Sequence, residues 1–306
     1  MLSSFFSKSK PINYIIVALY MTLLYSIAHF NKGSDMSLNY FFYALIGVLL
    51  YVLLMLGINF FAKKNELTNK GSFTVFLFAF ITAVLPNSLV NFPILLSNVF
   101  VLLAIQNVLH LRNEKQIKAK IFNASMCVAI ASLAYFWSIS FIIMVYIGVL
   151  YFTPKDYRNW LIPILGLGVV FLFATCFTLY VKDTFFSFSE YIDPVSFSFK
   201  SYLVKDQLFS VGILCICLFF FLSVYLITFR RKAANTKPLL RIILAYLMVT
   251  IIVAVIAPFK NTSELFFITI PLALIGTTYF ELKFSSLAKE INMWVCVLIP
   301  FTLVLL

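Results

Sequence analysis

The 306 residues are 63% hydrophobic and 11% charged, with 36 Phe, where a soluble domain is about 25% charged. A water-soluble chain of this size still exposes roughly a quarter of its surface, so this apolar excess excludes a soluble fold, and the same arithmetic excludes disorder, collagen, coiled coil and a disulfide scaffold. The net charge of +12 is no nucleic-acid footprint, because the cations sit in short gaps between apolar runs and not on a soluble basic face.

A polytopic membrane protein is therefore expected: an all-α transmembrane helical bundle forming a single integral membrane domain over 1–306. In the opening MLSSFFSKSKP, Lys8 and Lys10 precede an apolar run that starts at Ile12 and ends YSIAHF. No small-x-small cleavage site follows it, so it reads as an uncleaved first span.

A span needs about 20 apolar residues to cross about 30 Å of hydrocarbon. Charge-free runs at 12–30, 39–61, 72–88, 92–110, 121–136, 138–153, 160–180, 207–229, 239–258, 264–280 and 291–306 are the candidates. Residues 121–153 are short for two passes and have a re-entrant hairpin as their alternative. The final run is short as well, so nine to eleven spans are expected.

With a cytoplasmic amino terminus, 18 of the 23 Lys and Arg, including every Arg, fall in cytoplasmic gaps. Lys32, Lys182, Lys200, Lys205 and Lys260 fall on the other side. The positive-inside rule supports that orientation.

Two stretches stand out along the chain. LPNSLVNFPILLSN sets Pro86 and Pro93 either side of Asn87 and Asn91, with Asn98 beyond. It is either an outward turn punctuated by proline or a broken helix whose amides line a cavity, the setting in which irregular backbone is tolerated at membrane depth. The longest gap, 181–206, alternates aromatics with Ser and acids. It suits an interfacial anchor, with a lid over a lipid-facing cleft as the functional alternative.

Every ionisable residue falls at or near the end of a run, which weighs against carboxylate proton relays and voltage sensing. Chemistry at the outer face would need a carboxylate as base and cations for a phosphate. Asp35 with His29, and Lys260 with Glu264, are the residues placed for it. The bland reading is that short outer loops carry such residues for solubility. The two His lie too far apart for a ligand pair, and the five Cys sit inside apolar runs, where they are expected as buried small hydrophobes. Neither a metal nor another cofactor is expected.

The basic gaps RNEKQIKAK and RRKAANTKPLLR act as topology determinants, or suit anionic lipid headgroups or acidic partner proteins on the cytoplasmic side. Expected partners are membrane lipids and other membrane proteins, with no nucleic acid.

The opening MLSSFFSKSKPINY, with FNASMCVAIASLAYFWSISFIIMVYIGVLYF and RNWLIPILGLGV, resembles an uncharacterised polytopic membrane family of flavobacteria and related Bacteroidota. That resemblance spans the chain and implies a bacterial inner-membrane address. The hairpin 121–153 and APFKNTSELFFITIPLALIGTTYFE are similar to the core and late helices of C-type glycosyltransferases. This second resemblance implies a polyprenyl-phosphate carrier handled at the outer face, with Asp35 in the catalytic position and Lys260 at the phosphate. The first outer gap is far shorter than the long loop of those enzymes. A carrier-handling protein of envelope biogenesis, a non-catalytic scaffold of an envelope machine and a flippase all remain open.

Overall fold

The computed structural model describes residues 2–31, 38–68, 71–187, 191–231, 236–282 and 286–305. It is all-α, with thirteen α-helices among the described residues. They are α1 (Leu2–Phe6), α2 (Pro11–Asn31), α3 (Leu38–Lys64), α4 (Phe73–Ala83), α5 (Pro86–Leu89), α6 (Phe92–His110), α7 (Ile117–Ala134), α8 (Ile142–Phe152), α9 (Arg158–Lys182), α10 (Lys205–Arg231), α11 (Lys237–Ile256), α12 (Phe266–Glu281) and α13 (Ser286–Leu305).

Eight helical stretches are long and apolar enough to cross a membrane: Pro11–Phe30, Tyr40–Lys64, Phe92–Asn113, Ile117–Ala134, Arg158–Lys182, Lys205–Arg230, Lys237–Ile256 and Ser263–Glu281. The chain is a multi-pass membrane protein. Its surface agrees, since Leu19, Phe41, Phe173 and Ile216, on four different helices, are each 64–70% exposed. Such side chains are at home against lipid.

Eight is fewer than the nine to eleven read from the sequence. Run 72–88 breaks after an 11-residue helix, because the residue before Pro86 is driven out of the helical region. Leu85 there has φ −119° and ψ 65°. Run 138–153 is divided between a 3₁₀ turn (Phe136–Phe141) and the 11-residue α8, following an extended Tyr135. The last run becomes part of α13, which is not among the eight.

The chain gathers into two compact units: 1–95 with 198–243 and 259–306, and 96–197 with 244–258. In the first unit, α4 and α12 form the centre. Every residue of α4 is buried, as is every residue of α12 from Phe266 to Phe280. Rings knit them together: Phe73 stacks on Phe280 at 5.7 Å, and Phe78 meets Phe266 edge-on at 6.3 Å. Gly276 lets Leu77 and Phe221 close on α12, for an added Cβ would sit 3.1–3.2 Å from each. The buried Tyr51 and Thr82 hydroxyls pair at 2.5 Å, and Thr82 also donates to the Phe78 carbonyl. No unpaired hydroxyl is left at that point of the apolar core.

The second unit is built on the close pairing of α7 with α9 and α8. An added Cβ on Gly166 would lie 1.9 Å from Ser125 Oγ, and one on Gly148 would lie 2.5 Å from Val108. Such small-residue contacts drive helix association where lipid supplies no hydrophobic force. Of the long loop 181–206, Tyr191 belongs to this unit. Its hydroxyl donates to Ser132 at 2.7 Å, and its ring sits against Phe136, Phe171 and Phe186. The cysteines depart from the expectation: Cys296 is buried, but Cys176 and Cys215 face outward.

Candidate functional site

Within the first unit, alternate helix ends converge. The carboxyl end of α2, the amino ends of α3 and α10, the break between α4 and α6, and the loop before α12 enclose a cavity of about 550 Å³. That size falls within the range of small-ligand sites. Its wall comprises Tyr25, His29, Tyr40, Tyr43, Asn87, Val90, Asn91, Phe92, Pro93, Gln207 and Asn261. Four carboxamides, three phenols and an imidazole thus meet without a Lys, Arg, Asp or Glu among the described lining residues.

Each element delivers its group for a local reason. His29, in the last turn of α2, bonds Tyr40 Oη through Nδ1 at 2.6 Å, with the Tyr25 ring 4.3 Å from the imidazole. Tyr25 fits because its hydroxyl lies over Gly47, where a Cβ would be 2.1 Å away. Asn87 and Asn91 are presented by the proline-interrupted break. Asn87 Nδ2 donates to the Asn261 carbonyl at 3.2 Å and to Thr262 Oγ1 at 3.4 Å, and Asn91 Nδ2 reaches Ser263 Oγ at 3.5 Å. Asn261 Oδ1 accepts the Ser263 backbone N–H at 3.3 Å and its hydroxyl at 2.5 Å. Between them Thr262 holds φ 68°, a left-handed conformation that costs a β-branched residue and marks functional loops more often than others.

Lys260 and Glu264 flank this loop and are only 3% and 1% exposed. They are not solvated loop charges, as the bland reading had them. Tyr202 donates its hydroxyl to Glu264 Oε1, and Lys260 Nζ lies 5.1 Å from the Phe199 ring centroid. Burial lowers the Lys260 pKa from its ordinary value, while the nearby Glu264 carboxylate acts in the opposite sense. Neither side chain is part of the cavity wall; both brace the segment that carries Asn261.

Of the residues singled out from sequence, His29, Asn87 and Asn91 come together on the wall, with Lys260 and Glu264 in the adjoining loop. Asn98 does not join them; it is buried in the second unit. Asp35 lies outside the described residues. Sequence reading missed Gln207, Asn261 and Tyr202. Gln207 and Asn261 were legible as carboxamides at the mouths of apolar runs, and Tyr202 was absorbed into an aromatic belt. Among the described residues, no group of three or more His, Cys, Asp or Glu gathers in a way that could hold a metal ion.

A family described as a family of unknown function (DUF6427) matches residues 1–305, and the chain belongs to it. No curated protein and no solved structure matches.

Proposed function

We propose that this member of the family is a bacterial inner-membrane protein of envelope biogenesis. In this reading it holds the sugar head of a polyprenyl-phosphate-linked carrier at the outer face. The observation that carries it is the cavity wall. Carboxamides offer paired donors and acceptors for hydroxyls, and phenol rings offer flat apolar faces. The described lining residues, which include no Lys, Arg, Asp or Glu, suit a neutral polyol better than a bare phosphate. Lys260, one residue from Asn261, is the cation nearest in sequence to that wall. Asp35, between His29 and Tyr40, remains the acid proposed to act as base.

Alternation of helix ends supports the hairpin topology behind this reading. Residues near Pro11, Lys63, Phe73 and Glu281 face one cavity, whereas those near His29, Tyr40, Asn87, Gln207 and Asn261 face another. The excess of cations at the first end argues for that end being cytoplasmic.

Native mass spectrometry of the protein, purified from its own membrane in mild detergent, tests the reading. An adduct with the mass of a sugar-bearing polyprenyl phosphate, reduced in Asn87→Leu and Asn261→Leu, is expected. A stoichiometric protein partner with no such lipid would replace carrier handling with a scaffold role. Asp35→Asn separates binding from chemistry, since it should keep the adduct and lose transfer.

A further inference from the structure

A second cavity, of about 1340 Å³, opens at the other end of the first unit. Its wall brings Lys8, Lys63 and Lys289 together with Ser3, Ser7 and Ser9; the Ser3 hydroxyl is given to Glu290 and that of Ser7 to the Ser4 carbonyl, while the Ser9 hydroxyl meets Lys63. Two acids also face it, Glu66 and Glu281. Glu281 is the electrostatic neighbour of Lys289. Lys63 donates to Ser9 Oγ at 2.5 Å and to Tyr14 Oη at 2.7 Å, both neutral acceptors that leave its charge uncancelled.

The wall is built, not incidental. Buried Asn13 ties the α1–α2 corner by donating to the Phe5 and Lys8 carbonyls and to Ser72 Oγ. Ser72 returns a backbone hydrogen bond to the Phe6 carbonyl at 2.9 Å. Lysines and hydroxyls held around one space are the chemistry of phosphate recognition.

This cavity does not end in polar surface. Phe280 lines both the lysine cavity, where its carbonyl accepts from Lys289 Nζ at 2.7 Å, and an apolar groove of about 240 Å³ between α10, α12 and α13. Along α13, Lys289 faces the first space, while Asn292, Cys296 and Ile299 face the second. Those four positions fall within roughly 80° of the helix circumference. One helix face thus runs from ammonium through amide to hydrocarbon. The groove is lined by Ile213, Ile216, Phe220 and Val295 among others. A free phosphate would use only half of this arrangement, whereas a molecule with an anionic head and a hydrocarbon tail matches both halves.

We infer that the first unit carries a dedicated binding site for a phosphate-headed lipid, with its head between Lys8 and Lys63, beside the Ser9 hydroxyl, and one chain in the groove beside α13. The site is separate from the carboxamide cavity and does not depend on the function proposed for it.

The test is lipid retention by the full-length protein in mild detergent, followed by native mass spectrometry with added dioctanoyl phosphatidylglycerol. Lys8→Gln and Lys63→Gln should each lower retention by about fivefold, the effect of one lysine on an anionic headgroup. Lys118→Gln, an exposed cation of the second unit, should leave it unchanged. Val295→Trp fills the groove from an exposed position without touching a lysine, and should also lower retention.

Loss of binding in all three site variants with the Lys118→Gln control intact is the expected result. An equal loss in Lys118→Gln would reduce the effect to general surface charge and overturn the proposal. Indifference to Val295→Trp, with inorganic phosphate displacing the lipid, would leave a soluble-phosphate site and overturn it too. Wild-type protein that retains no added lipid would do the same.

Discussion

Ser3 and Glu290 are 287 positions apart, yet Ser3 gives both its backbone N–H, at 3.0 Å, and its hydroxyl, at 2.7 Å, to one carboxylate oxygen of Glu290. The other oxygen accepts the Leu2 N–H at 3.0 Å. An acid on α13 thus satisfies the free donors at the start of α1, which a five-residue helix has no means of satisfying internally. Glu290→Ala should release α1. Faster amide exchange at Leu2–Phe6 in detergent, with α12 unaffected, is the expected signature, and unchanged exchange there would show the carboxylate to be dispensable.

Gly166 and Gly168 lie two residues apart on α9 and should answer substitution in opposite ways. A Cβ at Gly166 meets Ser125 Oγ at 1.9 Å and its Cβ at 2.9 Å, whereas a Cβ at Gly168 meets nothing within 4 Å. Gly166→Ala should lower stability by about 1–3 kcal/mol, the usual cost of overpacking. Gly168→Ala should be neutral or stabilise by up to about 1 kcal/mol through helix propensity. Thermal unfolding of both variants in the same detergent decides it, and Ser125→Gly should rescue Gly166→Ala.

Lys260 and Glu264 are buried electrostatic neighbours, so the loss of one should be felt by the other. Lys260→Met should destabilise by about 3 kcal/mol, because the buried carboxylate loses its countercharge, and the double variant with Glu264→Gln should recover most of that loss. The pH dependence has a definite sign. Folding lowers the Lys260 pKa below its ordinary 10.5, so between the two values the unfolded chain binds more protons and stability rises with pH. The melting-temperature gap between wild type and Lys260→Met should therefore widen as pH climbs toward 10.5. A flat gap would mean that Lys260 is solvated, and a narrowing one that the attraction of Glu264 outweighs burial.

Thr262 is expected to trade stability for shape. Its φ of 68° disfavours a β-branched side chain, and Asn enters that region several-fold more readily. Thr262→Asn should raise thermal stability by up to about 1 kcal/mol. The same substitution removes the Oγ1 that Asn87 contacts, so any adduct held in the carboxamide cavity should bind more weakly. Gain in both properties would detach the backbone strain from the site.

The membrane class was legible in composition, and eight of the eleven apolar runs correspond to helices long and apolar enough to span. The three that do not correspond show where hydropathy stops being informative. Residues 72–88 are apolar throughout apart from short polar side chains, but apolarity sets no length; the backbone rule imposed by Pro86 does. The same rule made the break readable, but the proline-flanked amides fitted an outward turn as well as a cavity lining, so the pattern alone did not choose between them. What could not be read was the partner segment. Asn87 and Asn261 are 174 residues apart, and nothing in the local pattern of either names the other. The burial of Lys260 and Glu264 was hidden for a related reason, since loop position in sequence predicts solvation only if no neighbouring helix end closes over the loop.

The wholly buried α4 has a consequence for how the protein is made. Its 11 residues reach only about 16 Å, roughly half of a hydrocarbon layer, and they are sheathed by protein on every side. Such a segment has no stable resting place in lipid by itself, and its broken end would leave backbone groups unsatisfied there. It must therefore enter the bilayer together with a neighbour, and α12, its other central partner, is synthesised nearly two hundred residues later. A ribosome arrested just after Ala83 should hold α4 outside the lipid, accessible to a water-soluble thiol reagent at an introduced cysteine. Full protection should come only once α12, whose rings pack on it, has emerged. The order of synthesis and the order of assembly in this chain are different orders.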